Sequence, residues 1–445
     1  MIKGKFFLPV IGLVLWLSCS CLFGEEIESE VVPFTLKKAV EIALDNNTDI
    51  LIKKQELKES AAGIKEARSG LFPRLDAGAD YYAYHDHPYI TYENSCQINV
   101  SLTQTLYAGG QLINSFRQAE LNLEAAGERQ RRVRQEVIFK VEKAFYDILL
   151  AEEFVRINRD ALSLAEEQLR IAEERYDAGE VSNYDVLRAE VEVAGVKPEL
   201  VKAENCLETA QNMFKFILGL GMGTPVKLNG EFAYFPREVD LDDALDAALI
   251  ERPELKEIEF GEGMAQLGIK IARGGRKPSV FLSVGTYWDD QSAFSVRDEW
   301  DDYYVGLVSV SIPVFDSMEA GARTEKAFSR LEAVRIYREN FGERVKLEVE
   351  NAFLSLKAAE EVVVSQVKNV DRALEALEIM QARYKSGKAA QLDLLDAQIA
   401  LSGARVSYAQ SIYDHILAGA KLKLAMGVEE YEYSGICDAD GGFCR

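Results

Sequence analysis

Asp393 and Asp396 stand three residues apart in the stretch RYKSGKAAQLDLLDAQ (383–398). On a helix that spacing puts both carboxylates on the same side, and carboxylates gathered around an aperture attract cations and repel anions. The stretch has a twin, RYDAGEVSNYDVLRAE (175–190), in which Arg175/Arg383, Tyr176/Tyr384, Gly179/Gly387, Asp185/Asp393, Leu187/Leu395 and Ala189/Ala397 recur in register, 208 positions apart. His85 and His87, in HDHP, could share a strand face and hold a metal, although a surface loop near a strand end explains them more simply. The chain carries no Ser-His-Asp set, no metal-spaced cysteine cluster and no phosphate-cradling glycine loop, and GLGMG (219–223) reads as a helix end. No catalytic residue, cofactor or resident metal is therefore expected, and the chain is not expected to be an enzyme.

The 445 residues carry 51 Lys+Arg against 73 Asp+Glu, a net charge of -22. That balance excludes a nucleic-acid binder, which needs a basic face. At the N-terminus, Lys3 and Lys5 precede the apolar run FFLPVIGLVLWL (6–17), too short to span a bilayer, and small residues follow. Residues 1–24 thus read as a secretory signal, with cleavage between about Ser18 and Gly24; a lipoprotein variant of that signal would use Cys19 or Cys21. No later stretch suits a transmembrane helix, so any membrane span in the exported chain is expected to be made of strands. Cys437 and Cys444, in the tail at 429–445, could pair in an oxidising compartment or remain two free thiols.

The chain is one unit written twice, a pattern that decides a fold before any local propensity does. TLKKAVEIALDNNTDI (35–50) matches DLDDALDAALIERPEL (240–255), and ARSGLFPRL (67–75) matches ARGGRKPSV (272–280), both at an offset of 205. VEKAFYDIL (141–149) matches VENAFLSLK (349–357), and Gly219 falls on Gly427, at 208. The repeats span 32–230 and 231–428. Each contains a short helix, a longer helix ended by proline, two strands and a long helical hairpin, 110–218 in the first and 318–426 in the second. A stripe of Val133, Val137, Val141, Ala144, Ile148, Ala151 and Val155 gives the first long helix a coiled-coil-like seam. At 1.5 Å per residue such a helix reaches about 100 Å. The returning helices are shorter, so the earlier helices are expected to stack end to end with them; Pro198 is expected to kink one.

The strands at 75–84, 97–107, 280–288 and 304–314 alternate apolar with small or polar residues over about ten positions, the pattern of an outer-membrane barrel strand. Tyr81, Tyr82, Tyr84, Tyr287, Trp288, Tyr303 and Tyr304 lie at their outer ends, where an interfacial aromatic girdle belongs. Four strands close no barrel, and open edges in lipid leave backbone groups unsatisfied. The chain must therefore oligomerise. Two copies supply eight strands and eight hairpin helices; three supply twelve of each around a wider lumen, and a homotrimer is the expected state. The fold class is mostly α, within α+β: a trimeric barrel of four strands per chain, continuous with a long α-helical coiled-coil barrel. A coiled-coil stalk or adhesin without transport is the alternative.

From about 32 to 428 the chain resembles the TolC-like outer membrane efflux protein family. The carriers are the twofold repeat, LTQTLYAGGQ (102–111) and SIPVFDSMEA (311–320) at the strand ends, and the twin RYDAGEVSNYDVLRAE and RYKSGKAAQLDLLDAQ segments. Thr105 stands where the family usually has proline, and Asp316-Ser317-Met318 replaces its usual glycine pair. The resemblance implies a conduit across outer membrane and periplasm, docked to a periplasmic adaptor protein and an inner-membrane pump or transporter. It exports small molecules or, as type I secretion, protein. The resemblance further implies that Asp393 and Asp396 ring the periplasmic entrance and that Tyr384 and Asp185 tie the two hairpins in a closed state. Gly179, Ser182, Asp185, Gly387 and Lys388 then mark the tips an adaptor touches. Gly179 and Gly387 suit helix ends, and Ser182 and Asn183 offer N-cap oxygens to the returning helix.

Overall fold

The computed structural model describes residues 33–83, 85, 94–236, 239–289 and 300–428. The signal segment, Tyr84, His87 and the tail with Cys437 and Cys444 lie outside them. The element order is α1 (Leu36–Asn46), α2 (Thr48–Ser69), β1 (Arg74–Ala83), β2 (Asn94–Ala108), α3 (Gln111–Asp177), α4 (Asn183–Leu218), α5 (Leu241–Glu251), α6 (Pro253–Gly274), β3 (Ser279–Asp289), β4 (Asp301–Ser311), α7 (Glu319–Lys385) and α8 (Gln391–Met426). Every helix of the first repeat has a counterpart of equal length in the second: 11 residues for α1 and α5, 22 for α2 and α6, 67 for α3 and α7, and 36 for α4 and α8.

Local chemistry sets the ends of these elements. The Thr35 hydroxyl accepts from the Lys38 amide at 3.3 Å, and the Asn47 side chain from the Asp49 amide at 2.9 Å, capping α1 and α2; each such cap is worth about 1 kcal/mol. Asp240 caps α5 in the same way, and Pro253 opens α6 at a position where no amide is needed. The seam on α3 is real: Val133, Val137, Val141, Ala144, Ile148, Ala151 and Val155 are all buried. The first five of them, Val133 to Ile148, pack with Leu36, Val40, Phe214, Leu218, Ile412 and Ile416 from α1, α4 and α8. Burying each large apolar side chain contributes about 1.5–3 kcal/mol. A second core on α7 and α8 holds Val345, Val349, Leu356 and Leu422. The helix α4 carries through Pro198 as one element.

The shorter helices do stack end to end. Asn47, at the start of α2, donates from Nδ2 to the Ile217 carbonyl near the end of α4, at 2.8 Å. In the second repeat the buried Arg252 donates from Nε to the Ala425 carbonyl at 2.7 Å. The same carbonyl, one repeat apart, is satisfied by two different side chains. Gly219 and Gly427, both left-handed with φ 68° and 71°, let the chain turn at these junctions. Together α2 and α4 run about 87 Å beside about 100 Å of α3.

The two repeats are also tied along α3 and α8. The Tyr413 hydroxyl donates to Asp147 Oδ1 at 2.7 Å, and Lys143 Nζ lies 2.7 Å from Asp147 Oδ2. Burial, then the bond to Asp147, pushes the Tyr413 hydroxyl up to about 12 from its ordinary value of 10.0. Because the folded value is raised, this contribution is whole below pH 10 and is lost as pH climbs through 12. Tyr413→Phe is expected to cost about 1–2 kcal/mol. Thermal unfolding in detergent should show a gap between wild type and variant at pH 8 that narrows at pH 11.

The strands form one antiparallel sheet, in the order β1-β2-β3-β4, so β2 and β3 join the two repeats and β1 and β4 are open edges. Opposite residues share a face. The register Ala77↔Val100↔Thr286↔Tyr304 and Leu75↔Leu102↔Val284 builds an apolar face. The rows Gly78↔Asn99↔Tyr287↔Tyr303 and Asp80↔Gln97↔Asp289↔Asp301 build a polar one. The aromatics expected to form a girdle therefore divide. Tyr81, Trp288 and Tyr304 lie on the apolar face; Tyr82, Tyr287 and Tyr303 lie on the polar face, where Tyr287 and Tyr303 stack with centroids 5.4 Å apart.

Candidate functional site: the hairpin tips and the α8 carboxylates

Both long helices end alike. Gly179 (φ 76°) follows α3, with its amide bonded to the Tyr176 carbonyl at 2.9 Å and the Glu180 amide to the Arg175 carbonyl at 2.8 Å. Gly387 (φ 70°) follows α7, its amide bonded to the Tyr384 carbonyl at 3.0 Å and the Lys388 amide to the Arg383 carbonyl at 2.8 Å. These are paired Schellman turns, and the positive φ explains both glycines. A Cβ at either would meet nothing within 4 Å, so the glycines answer backbone conformation alone.

The returning helices begin on a carboxylate. Asp185 Oδ2 accepts from the Ser182 amide at 2.9 Å and from its hydroxyl at 2.7 Å. Asp393 Oδ2 accepts from the Ala390 amide at 3.1 Å. The Ser182 hydroxyl is thus a donor to Asp185, and Asn183 is the first helical residue. The recurrence of aspartate in the twin motif has a local cause: each sits at the third helical position and reaches back to the cap. The S-x-x-D spacing of Ser182 and Asp185 carries that signal in the sequence.

Asp393 and Asp396 are both exposed, while Leu394, Leu395 and Gln398 beside them are buried. Leu394 and Leu401 pack with Leu377, and Tyr384 lies against that cluster. The carboxylates therefore face away from the seam between α7 and α8. Only Asp393 is anchored, and Asp396 has neither a hydrogen bond nor an ion pair among the described residues.

Tyr384 is brought together with Arg175 rather than with Asp185. The Arg175 guanidinium lies over the Tyr384 ring, 5.1 Å from its centroid, and Arg175 Nε sits 3.4 Å from Glu180 Oε2. No hydrogen bond joins Asp185 to Tyr384 within this chain among the described residues. Arg175 thus links the two tips, a role visible in the sequence only as a recurring Arg-Tyr pair. The tips also differ in charge. The first carries Glu173, Glu174, Asp177, Glu180 and Asp185 around Arg175; the second carries Arg383, Lys385 and Lys388 beside Asp393, all exposed. His85 is exposed, and no group of three or more metal-ligating side chains occurs among the described residues.

No described helix is long and apolar enough to cross a membrane. A sheet with one apolar face, continuous with helical hairpins about 100 Å long, defines the class: a membrane channel with a helical extension. The outer membrane efflux protein family is matched over residues 39–220 and 244–428, one segment in each repeat, and the chain belongs to that family. It is 23% identical over 418 residues to the outer membrane efflux protein BepC of Brucella suis, covering 94% of this chain and 90% of that protein. To the outer membrane protein TolC of Escherichia coli it is 24% identical over 395 residues, covering 84% and 79%. The fold matches the Campylobacter jejuni CmeC outer membrane channel with a TM-score of 0.78 at 17% identity, over 88% of this chain and 85% of that one. The protein is an outer-membrane efflux channel with a periplasmic helical tunnel, not an enzyme.

Proposed function

We propose that three copies form one continuous duct, which takes small molecules from an inner-membrane pump and releases them outside the cell. A periplasmic adaptor docks at the tips around Gly179, Ser182, Asp185, Gly387 and Lys388. Substrate enters past a ring of Asp393 and Asp396, six carboxylates in all, that favours cations. Asp185 and Tyr384 stand close enough in sequence to the tips to exchange partners when the mouth changes state.

One observation carries the assembly: the repeats inside a chain meet through surfaces that each repeat also presents outward. β2 pairs with β3 across the repeats; the same step taken again pairs β4 with β1 of the next copy. Inside the chain α3 packs on α6 and α8; the same step lays α7 on α2 and α4 of the next copy. Arg129 and Arg132 meet Glu257 inside the chain. The equivalent positions between copies are Tyr337, Asn340 and Ile52. Tyr337 is 55% exposed and Ile52 51% exposed in the single chain, and Ile336 and Leu51 beside them are exposed as well. Burying such side chains at a closed interface supplies a driving force of about 1.5–3 kcal/mol each.

Native mass measurement and single-channel recording of the detergent-purified protein test this together. The expected result is a mass of three chains and a cation-selective pore. A monomer defeats the assembly, and a folded trimer without conductance points to the stalk.

A further inference from the structure

We infer that the twin Arg-Tyr pairs close a ring of six guanidinium–phenol stacks around the periplasmic mouth. Three lie within protomers, Arg175 on Tyr384; three lie between them, Arg383 on Tyr176 of the partner subunit. The inference rests on the trimer proposed above and assigns residues to its least described contact.

One stack of the six is present in the chain, with the Arg175 guanidinium 5.1 Å from the Tyr384 centroid. Arg383 and Tyr176 occupy the same positions one repeat away. Their backbones are set by the same pair of Schellman bonds and the same left-handed glycine, so their side chains leave the tip in the same directions. Yet inside one chain they do not meet. Tyr176 is 46% exposed, Arg383 is exposed, and neither side chain has a partner among the described residues. The step that carries α3 onto α7, and α7 onto α3 of the next copy, carries the observed stack onto this unfilled one.

The neighbours of the two arginines differ in a way that fits. Arg175 is tethered to its own tip by Glu180. The equivalent residue in the second tip is Lys388, a like charge, which offers Arg383 no such tether. Outward lies the first tip of the next copy, with Glu173, Glu174 and Asp177 flanking Tyr176. An arginine arriving there gains both an aromatic face and opposite charge.

Cysteine pairs placed in the full-length protein, with Cys96, Cys206, Cys437 and Cys444 replaced by serine, test the ring after native mass measurement of each variant. A short bismaleimide is expected to link Tyr176→Cys/Arg383→Cys into covalent trimers and to link Arg175→Cys/Tyr384→Cys only within a monomer. A trimeric Tyr176→Cys/Arg383→Cys protein with no link between chains overturns the ring and leaves the trimer standing. A monomeric mass overturns both. In bilayers, Arg175→Gln and Arg383→Gln should each raise open probability by roughly tenfold or more, since each removes three stacks of modest strength. Arg383→Lys keeps the charge but loses the planar face, and should open the pore nearly as far. If Arg383→Gln leaves open probability at the wild-type value, the stacks between protomers do not exist.

Discussion

Asp393→Asn/Asp396→Asn is expected to remove most of the pore's preference for cations, lowering the cation-to-anion permeability ratio by roughly tenfold or more. The reason is proximity. A carboxylate about 4 Å from a passing monovalent cation contributes on the order of 1–4 kcal/mol between bulk water and a protein surface. Salt screens such a field over about 8 Å at physiological strength, so only charges at the constriction count, and six of them would stand there. Asparagine is chosen because Asp393 has a second duty. Its carboxylate accepts from the Ala390 amide, and an amide oxygen keeps that bond while losing the charge. Asp393→Ala would add a helix-cap penalty of about 1 kcal/mol and confuse a selectivity change with a looser tip. Asp396 has no such bond, and the single variant Asp396→Asn should reduce selectivity with no change in thermal stability. Reversal potentials under a KCl gradient measure the effect. An unchanged reversal potential in the double variant would place the selective constriction elsewhere in the tunnel.

Much of this architecture is legible in the sequence because it follows from local periodicity repeated at a fixed offset. The α3 seam, the alternation of the strands and the glycines after α3 and α7 are each consequences of a few neighbouring residues. In the structure α3 runs Gln111–Asp177, α7 Glu319–Lys385, and β1 to β4 form one sheet. What escaped is what depends on partners far along the chain. Tyr287 and Tyr303 look like girdle residues in isolation; only the register of β3 against β4 puts them on the polar face. The carbonyls of Ile217 and Ala425 are satisfied by Asn47 and Arg252, two side chains with nothing in common but position. At the tips Asp393 and Asp396 suggest an electrostatic role, and a capping role at Ala390, matching that of Asp185 at Ser182, accounts for the recurrence of Asp393. Asp396 is the carboxylate that capping leaves unexplained. It has no twin, because Arg188 stands at the equivalent place in the first repeat. A carboxylate at that turn is therefore peculiar to the second repeat, and a repeat-based reading passes over it.

Gly427→Val is expected to prevent stable assembly of the second repeat, whereas Gly387→Val, at the same backbone angle, is expected to be tolerated. The comparison isolates packing from conformation. Both glycines are left-handed, with φ of 71° and 70°, and a β-branched residue there costs about 1–2 kcal/mol for the backbone alone. At Gly387 nothing lies within 4 Å of an added Cβ, so that cost is the whole effect. At Gly427 the added atom would stand 2.9 Å from the Arg252 Cα and 3.0 Å from its amide nitrogen. Backbone gives way only by moving an element. The element here is the start of α6, whose Arg252 is buried, bonded to the Ala425 carbonyl and paired with Glu348 at 2.7 Å. The Gly427 carbonyl itself accepts from Gln135 Nε2 at 2.7 Å, which ties the same point to α3. Displacing α6 thus breaks a half-exposed ion pair and a buried hydrogen bond together, a loss of about 2 kcal/mol or more. The yield of detergent-extracted protein and its thermal midpoint should both collapse for Gly427→Val and change little for Gly387→Val. Equal losses at the two sites would mean that backbone conformation, and not the junction where α8 meets α6, fixes how the tunnel's helices are joined.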